Sequence, residues 1–433
     1  MARSLAGVEE WPAIWAVQRF AWQVARGVGD GTELGDGDVD DRCRRGRRGL
    51  RFCRGSGVVR GVRAFSPSSS LAIALVFGGC NVEFSLPPEV AESKYIAYHT
   101  DADPSAICMA DLLAREDRFI EGTAALLGVE PPTESIHFVW DLEQTGKEPW
   151  ACRGNVNCYK DLAEEELSVV VSQSPTNHHE IVHAIDAQAL GTKVHPTLAE
   201  GLAEYLGSLQ TSAFESGAFP GAFKSMLARS SVPDDYALAM HFVGSILALH
   251  GAEKFKELRA RVPASAGVEE FAAAFESVYG QALDSALAQM SAERVFAVDP
   301  FPGCDEGPEL SWADEGLLDT TLAGACGDPW FFGAGIVEGR MGFFGYYVVE
   351  VPRAGQYELT VGAATGAPAP LRGVLAGCSF ELVGSQLVSL NGKTSSAPLQ
   401  AGRHTLLVAF PPQSVARGEA AVRLAYVGPL PSP

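Results

Sequence analysis

The sequence predicts a protein of the α+β class, with a small mixed sheet, a helical lobe after it and an antiparallel β-sandwich at the C-terminal end. Three observations lead to this prediction. Apolar runs rich in β-branched residues lie between residues 94 and 172, helical patterns fill most of residues 178–289, and alternating strands with Gly and Pro turns follow residue 304. Strands followed by a separate run of helices are typical of α+β proteins.

The mixed sheet and the helical lobe are assigned element by element. The predicted strands are Lys94–His99, Ser135–Asp141 and Leu167–Ser172, and a long helix runs from Ser105 to Leu127, ended by Gly128. Two helices follow near residues 178 and 198, and a helical pattern continues from Ala213 to Gln289 with a loop at residues 230–235.

The pattern changes after a linker rich in Pro and Gly at residues 297–303. Ala354-Gly355 and Ala401-Gly402 each precede an alternating strand, and such repeats with Gly turns indicate a β-sandwich over residues 304–433. The aromatic residues at 330–332 could line a carbohydrate site, but large aromatic side chains are more often part of a core.

The composition is that of a globular chain with an acidic surface. Of the 433 residues, 47% are hydrophobic and 20% are charged, and the formal net charge is −20. Residues 1–79 carry more basic than acidic side chains, so the remainder is more acidic than the whole chain. Such a surface repels nucleic acid, which we therefore exclude as a partner.

Residues 178–183 read His-His-Glu-Ile-Val-His and contain the pattern H-E-x-x-H. On a helix, His179 and His183 share one face, so both imidazoles can bind one metal ion. Glu180 lies beside the first of them, where it can hold a water molecule. The alternative is a surface helix with two solvated histidines.

A zinc-type site needs a third protein ligand. We favour Glu200, which follows His183 after 16 intervening residues and lies on the next predicted helix. Glu204, one turn further on, can hydrogen-bond a ligand and orient it. His195 and Asp186 are the alternative third ligands.

These motifs resemble the gluzincin zinc metallopeptidases, more narrowly their peptidase MA-like branch. The resemblance is carried by Glu180–His183 and by Ala-Glu-Gly-Leu-Ala-Glu-Tyr at 199–205, and the segments 236–255 and 275–284 are similar to those that follow in the family. It covers roughly residues 94–296. The gap between the second His and the Glu is shorter than in the best-known members, which shortens a loop. A metzincin would have Gly and His at the positions of Asp186 and Ala189.

The resemblance implies a zincin-like catalytic domain over residues 94–296 that hydrolyses peptide bonds in a peptide or protein substrate. Its cofactor would be Zn²⁺, bound by His179, His183 and Glu200, with Glu180 as the general base.

The family also places a tyrosine-containing segment after the helix of the Glu ligand. Tyr236 is therefore the predicted residue that stabilises the oxyanion, and Tyr205 and His178 are the alternatives. The competing function is a surface lipoprotein that binds metal without catalysis and recognises a protein partner or a glycan.

Residues 58–80 predict a lipoprotein-type signal peptide. Arginines precede an apolar run at Leu71–Phe77, which is too short for a stable transmembrane helix, and Gly-Gly-Cys80 follows. This ending resembles a bacterial lipobox, in which Cys80 becomes the lipidated N-terminus; the alternative is a buried apolar strand. We expect an exported protein held at the bacterial cell envelope by the lipid anchor only, or a secreted or periplasmic form.

The segments around the signal peptide and the cysteines complete the prediction. Residues 1–57 are interpreted as an over-extended gene model, with a start near Val58 or Val59, or as a disordered leader, and residues 81–93 as a tether. Six cysteines remain after Cys80, and an even number in an exported protein indicates three disulfides of open connectivity. They are Cys108, Cys152, Cys158, Cys304, Cys326 and Cys378.

Overall fold

The computed structural model divides the chain into two units, Met1–Ser85 and Leu86–Pro433. The residues described are 43–45, 51–53, 86–104, 107–141, 151–152, 157–162, 167–208, 211–212, 217–229, 235–291, 295–296, 307–314, 316–337, 340–365, 367, 369–378, 386–390, 392–411 and 417–430. The predicted signal peptide at 58–80 with Cys80, and the predicted linker at 297–303, lie outside these residues. In the first unit, strands β1 (Cys43–Arg45) and β2 (Arg51–Cys53) pair in antiparallel.

The second unit contains all the helices of the described residues. They are α1 Met109–Leu127, α2 His178–Leu190, α3 Pro196–Gly207, α4 Ala218–Arg229, α5 Tyr236–Arg261, α6 Val268–Tyr279 and α7 Leu283–Met290. None of these helices is long and apolar enough to cross a membrane.

The strands of the second unit fall into two groups along the chain. The first group is β3 Glu89–Glu92, β4 Ile96–Thr100, β5 Ile136–Trp140, β6 Asn157–Leu162, β7 Leu167–Ser172, β8 Thr211–Ser212 and β9 Val295–Phe296. The second group is β10 Glu309–Leu310, β11 Leu317–Ala325, β12 Phe331–Val337, β13 Arg340–Val351, β14 Gly355–Ala363, β15 Arg372–Gly377, β16 Gln386–Leu390, β17 Ser395–Leu399, β18 Gly402–Phe410 and β19 Arg417–Gly428.

The protein is α+β, as predicted, and its first sheet is mixed. The strand order is β3-β4-β5-β7-β6, in which β4, β5 and β7 are parallel and the two outer strands are antiparallel to their neighbours. The three central strands are the predicted ones, and their apolar runs are almost fully buried. Strands buried on both faces read as continuous apolar runs, which is why the sequence identifies them.

The two outer strands and the start of α1 differ from the prediction. Residues 89–92, predicted as part of a tether, form β3, and their mostly exposed side chains give no apolar pattern. Strand β6 is half-buried and was also missed. Helix α1 begins at Met109 and not at the predicted Ser105, and Cys108, just before it, forms a backbone bridge with Gly333 of β12.

The second group of strands, β10–β19, forms two sheets that face each other, here called the C-terminal sheet pair. One sheet has the order β10-β13-β18-β15-β16 with β12 also on β13, and the other has the order β11-β19-β14-β17. Apolar residues from both sheets share one buried cluster. All of the pairings are antiparallel except that of β10 with β13. Phe331 and Phe332 are buried, so the core interpretation is confirmed for them, and Trp330 is partly buried against the same core.

In the second unit, one disulfide joins two distant segments and another joins two cysteines close in the chain. Cys108–Cys326 connects the start of α1 to the C-terminal sheet pair, and Cys152–Cys158 joins Cys152 to the second residue of β6. Cys378 is also disulfide-bonded. The first of these bridges crosses between the predicted segments 94–296 and 304–433, which explains the odd number of cysteines in the latter.

Candidate metal centre

Two helices present the candidate metal ligands, and each begins at a defined residue. Helix α2 begins after Asn177, whose side-chain oxygen accepts a hydrogen bond from the backbone N–H of Glu180. Helix α3 begins with Pro196, and the preceding His195 accepts from the backbone N–H of Thr197. Each cap satisfies a backbone N–H that a helix start leaves without a helical partner, so the first turn of each helix is fixed.

Three candidate ligand atoms converge between α2 and α3. His179 Nε2 lies 3.1 Å from His183 Nε2 and 3.2 Å from Glu200 Oε2, and His183 Nε2 lies 3.3 Å from the same oxygen. In the described part of the chain, this is the one group of three or more His, Cys, Asp or Glu side chains placed to hold a metal ion. The geometry therefore differs from that of two solvated surface histidines.

The spacing and the chemistry of these atoms fit Zn²⁺. Tetrahedral zinc with bonds of about 2.0–2.1 Å places neighbouring ligand atoms about 3.3 Å apart. The measured separations are 3.1–3.3 Å. His179 Nδ1 lies 3.3 Å from Glu204 Oε1, so this nitrogen can donate to the carboxylate while Nε2 keeps its lone pair for the ion. Glu204 is thus where its predicted supporting role requires it.

A glycine at the end of α3 lets this helix lie directly against the first candidate ligand. A Cβ atom at Gly207 would lie 2.6 Å from His179 Cα and 2.7 Å from the carbonyl carbon of His178. In the middle of α3, a Cβ atom at Gly201 would lie 2.6 Å from a methyl carbon of Val243 on α5. Both glycines therefore permit close helix packing around the site.

Replacing Gly207 by Ala should weaken zinc binding about tenfold, because the added methyl group pushes α3 away from the His179 backbone; overpacking of this kind costs about 1–3 kcal/mol. Gly221→Ala on α4 is the matched control, since nothing lies within 4 Å of a Cβ atom there. Alanine also favours a helix over glycine, so the control should fold at least as well as the parent protein. Zinc competition titrations measure both variants, and equal affinities would contradict the packing argument.

Glu180 lies in the same cleft as the three ligand atoms and is largely buried. Burial raises the pKa of its carboxyl group, and the charges of His179 and His183 and a hydrogen bond from the Tyr159 backbone reduce that rise without cancelling it. A raised carboxyl pKa is suited to a general base at neutral pH. The Tyr159 donor belongs to β6, so the outer edge of this strand faces Glu180.

A cleft of about 420 Å³ runs along α2 past the candidate ligands. Clefts of roughly 300–1,000 Å³ commonly hold small ligands. One wall is residues 157–159 of β6, and residues of the 191–196 loop and Tyr236 line other parts. Sequence reasoning missed the β6 wall, for which the only signal was the cysteine pair at 152 and 158.

The structure separates the three candidates for stabilising the oxyanion. Tyr236 lines the cleft, and its ring meets the His179 ring edge-on with centroids 5.9 Å apart. Tyr205 is buried in the core, and burial raises its pKa to about 12. His178 points to the other side of α2, where its Nε2 lies 3.1 Å from Glu116 Oε1. Only Tyr236 of the three lines the cleft in the described part of the chain.

The two alternative third ligands are engaged elsewhere. His195 is buried, caps α3, and its Nε2 lies 3.2 Å from the carbonyl oxygen of Ala266. It therefore supports the start of α3, and it is not among the described side chains placed to hold a metal ion. Asp186 borders the cleft but pairs with Arg259 at 2.8 Å. Of the three candidates for the third ligand, Glu200 is the one that lies beside both His179 and His183.

Metal-free protein should carry a positively charged His179 at neutral pH. Burial lowers the pKa of the imidazole, but hydrogen bonds to Glu200 and Glu204 outweigh it and raise the pKa to about 10. Because the folded-state pKa is raised, its contribution to stability is complete below the unfolded value of about 6.5 and is lost as the pH rises through about 10. Zinc bound by His179 would have to displace this proton, so the zinc affinity should increase about tenfold for each pH unit between pH 7 and 9.

Calorimetric zinc titrations at several pH values measure this linkage. Glu200 does not contribute, since burial raises its pKa but hydrogen bonds to both imidazoles lower it to about 2, and its carboxylate is already ionised. A zinc affinity that does not change between pH 7 and 9 would contradict the prediction.

Comparisons with known proteins add little to this geometry. No family profile and no curated protein matches the chain. Solved structures that match parts of it include the pre-peptidase C-terminal domain of collagenase from Bacillus anthracis, at 14% identity and a TM-score of 0.17, covering 28% of this chain and 93% of that one. An isomalto-dextranase of Arthrobacter globiformis T6 complexed with panose matches at 13% identity and a TM-score of 0.15, covering 26% and 23%. The GH26-CBM35 β-(1,4)-mannanase of Podospora anserina matches at 17% identity and a TM-score of 0.13, covering 29% of each chain. Scores this low support no statement about fold or function.

Proposed function

We propose that the protein is a zinc-dependent metallopeptidase whose residues 94–296 form a zincin-like catalytic domain. His179, His183 and Glu200 hold Zn²⁺, and Glu180 is the general base. The observation that carries the proposal is the separation of 3.1–3.3 Å among the three ligand atoms, with Glu180 in the same cleft. Catalytic zinc sites combine three protein ligands with one position left open for water or substrate.

Zinc held by His179, His183 and Glu200 would supply Lewis acidity toward the water and the scissile carbonyl group. Glu180 takes a proton from the attacking water and delivers it to the leaving amine. The buried position of this carboxyl group, which raises its pKa, supports the role. Tyr236 donates a hydrogen bond to the oxyanion that forms on the carbonyl oxygen. Its place in the cleft beside His179 supports this assignment.

An extended peptide is the substrate that the cleft favours. Strand β6 is the last strand of its sheet, and its residues 157–159 line the cleft. The backbone N–H of Tyr159 points away from β7, since it meets the Glu180 carboxylate. Extended peptides bind such strand edges through repeated main-chain hydrogen bonds. A simple ester or an isolated amide lacks that repeat, which makes a peptide the better match.

Export and lipid anchoring belong to the same proposal. The disulfides Cys108–Cys326 and Cys152–Cys158 are typical of proteins that fold in an oxidising compartment. The signal-peptide pattern at residues 58–80 would direct export, and Cys80 would carry the lipid. The protein would then act at the bacterial cell envelope.

Glycan binding has less support as the main function. The aromatic residues that could form a carbohydrate site are largely in the core, with Phe331 and Phe343 among the buried ones.

Hydrolysis of a mixed peptide library by the purified protein tests the proposal. We expect cleavage by the zinc-loaded protein, loss of cleavage after treatment with a chelator, and recovery when zinc is returned. Mass spectrometry of the products identifies the cleaved bonds. If zinc-loaded protein cleaves no peptide, the peptidase proposal fails, and a metal-binding protein without catalysis takes its place.

A further inference from the structure

We infer that Glu116 of α1 is a positioning residue for α2, and that the C-terminal sheet pair holds it in place through the neighbouring Arg115. The inference rests on the zinc site of the proposed function but not on peptide hydrolysis. It makes the sheet pair part of the support of the metal centre.

The first step is the contact between Glu116 and the start of α2. Glu116 is 3% exposed, and its Oε1 accepts a hydrogen bond of 2.6 Å from the Thr176 hydroxyl and one of 3.1 Å from His178 Nε2. These two residues flank the helix cap Asn177, and His178 immediately precedes His179. One buried oxygen therefore fixes the backbone on both sides of the cap. Leaving a buried carboxylate without hydrogen-bond partners costs free energy. Glu116 therefore restrains the side chains of Thr176 and His178.

The second step is a ring contact that supports the same histidine. The His178 ring stacks on Phe119 of α1, with centroids 3.9 Å apart and planes 10° from parallel. The Tyr98 hydroxyl on β4 also donates to the carbonyl oxygen of Pro175, at 2.8 Å. The segment before α2 is thus held by α1 and by the sheet. These contacts orient α2 at the residues that precede His179.

The third step connects α1 to the C-terminal sheet pair. Arg115 is 3% exposed, and its guanidinium carbon lies 4.3 Å from the ring centroid of Tyr346 and 4.7 Å from that of Phe332. The two rings stack with centroids 5.3 Å apart. A buried guanidinium over aromatic rings is a favourable contact, and it is stronger where water is excluded. Arg115 and Glu116 are consecutive residues of one helix, so a shift of one moves the other.

The fourth step is the attachment of the first turns of α1. Cys108 is disulfide-bonded to Cys326, and its backbone N–H donates to the carbonyl oxygen of Gly333 at 2.9 Å. One turn later, Asp111 accepts from the backbone N–H of Gly327 at 2.8 Å. Cys108 just before α1, and Asp111 and Arg115 in its first two turns, therefore contact the sheet pair, while Glu116 contacts the start of α2.

Metal affinity and cobalt spectra of full-length variants test the inference. In Glu116→Ala, we expect zinc affinity to fall about tenfold, the lower end of the range for residues that orient metal ligands. The visible absorption spectrum of the Co²⁺-loaded protein should change as well, because the imidazoles shift relative to Glu200. Glu116→Gln keeps an oxygen acceptor for Thr176 and His178, so it should restore most of the affinity and the parent spectrum.

Two further variants complete the design. Arg115→Met removes the cation but keeps a long buried side chain, and it should weaken zinc binding although it contacts no ligand. Glu121→Ala is the control on the same helix, since Glu121 bonds to Lys94 and Tyr95 and not to α2. It should leave affinity and spectrum unchanged.

The outcomes are distinguishable. If Glu116→Ala binds zinc with parent affinity and an unchanged cobalt spectrum, the positioning role is wrong even when the parent protein hydrolyses peptides. If Glu116→Ala does not fold, the comparison of Arg115→Met with Glu121→Ala decides, and equal affinities overturn the inference. Parent protein that binds zinc but cleaves no peptide contradicts the peptidase proposal alone.

Discussion

Replacing Glu180 by Gln should lower the rate of peptide hydrolysis by about 10²–10⁴-fold, the usual contribution of a general base, while the protein still binds one zinc ion per chain. Glutamine keeps the size and the hydrogen-bonding oxygen of the side chain but cannot accept a proton from water. The three ligand atoms belong to other residues and stay in place, so metal content should be unaffected. Initial rates on a cleaved peptide and metal analysis of the same preparation give both quantities.

The interpretation depends on a comparison with an exposed glutamate. Glu253 on α5 has a side chain that is 83% exposed, and Glu253→Gln should leave the rate unchanged. Parent-like hydrolysis by Glu180→Gln would show that another group accepts the proton. Loss of both metal and activity would show that Glu180 supports the site structurally, which its burial alone would also allow.

Replacing Glu200 by Ala should reduce zinc affinity by more than about 100-fold. Residues that only orient a ligand already contribute about 10–100-fold, and Glu200 would supply one of the three proposed ligand atoms together with its negative charge. Two imidazoles alone leave the site incomplete for tetrahedral zinc. Native mass spectrometry gives the metal content, and competition with a chromophoric chelator gives the affinity.

Glu204→Gln is the matched variant one turn along α3. It should retain stoichiometric zinc with affinity reduced about 10–100-fold, because Glu204 contacts His179 Nδ1 and not the position of the ion. If Glu200→Ala keeps its zinc, then Glu200 is not the third ligand. Asp186, which borders the same cleft, would then be the first residue to test.

The placement of the histidine pair could be predicted from local sequence alone. His179 and His183 share a helix face because of the helical repeat, and this requires no information about the rest of the chain. The burial of β4, β5 and β7 follows in the same way from their apolar runs. Gly128, in the left-handed conformation at φ 62°, ends α1 as predicted from its type.

Other features depended on contacts between distant segments. β3 and β6 carry no apolar pattern, and they are strands because their backbones pair with β4 and β7. Cys108 pairs with Cys326 across 218 residues, a connection that cysteine counting leaves open. The sequence does not distinguish Glu116 from other acidic residues of an amphipathic helix. Its burial and its contacts with Thr176 and His178 follow from tertiary packing.

The sequence by itself therefore determined the α+β class, the central strands and the pair of histidines on one helix face, since all of these follow from periodicities within single elements. The tertiary structure decided that Glu200 meets both histidines, that Tyr236 and not Tyr205 borders the cleft, and that β6 forms one wall. It also decided that the C-terminal sheet pair packs on α1. These outcomes depend on how helices and strands far apart in the chain pack together, and side-chain patterns within one element do not encode that packing.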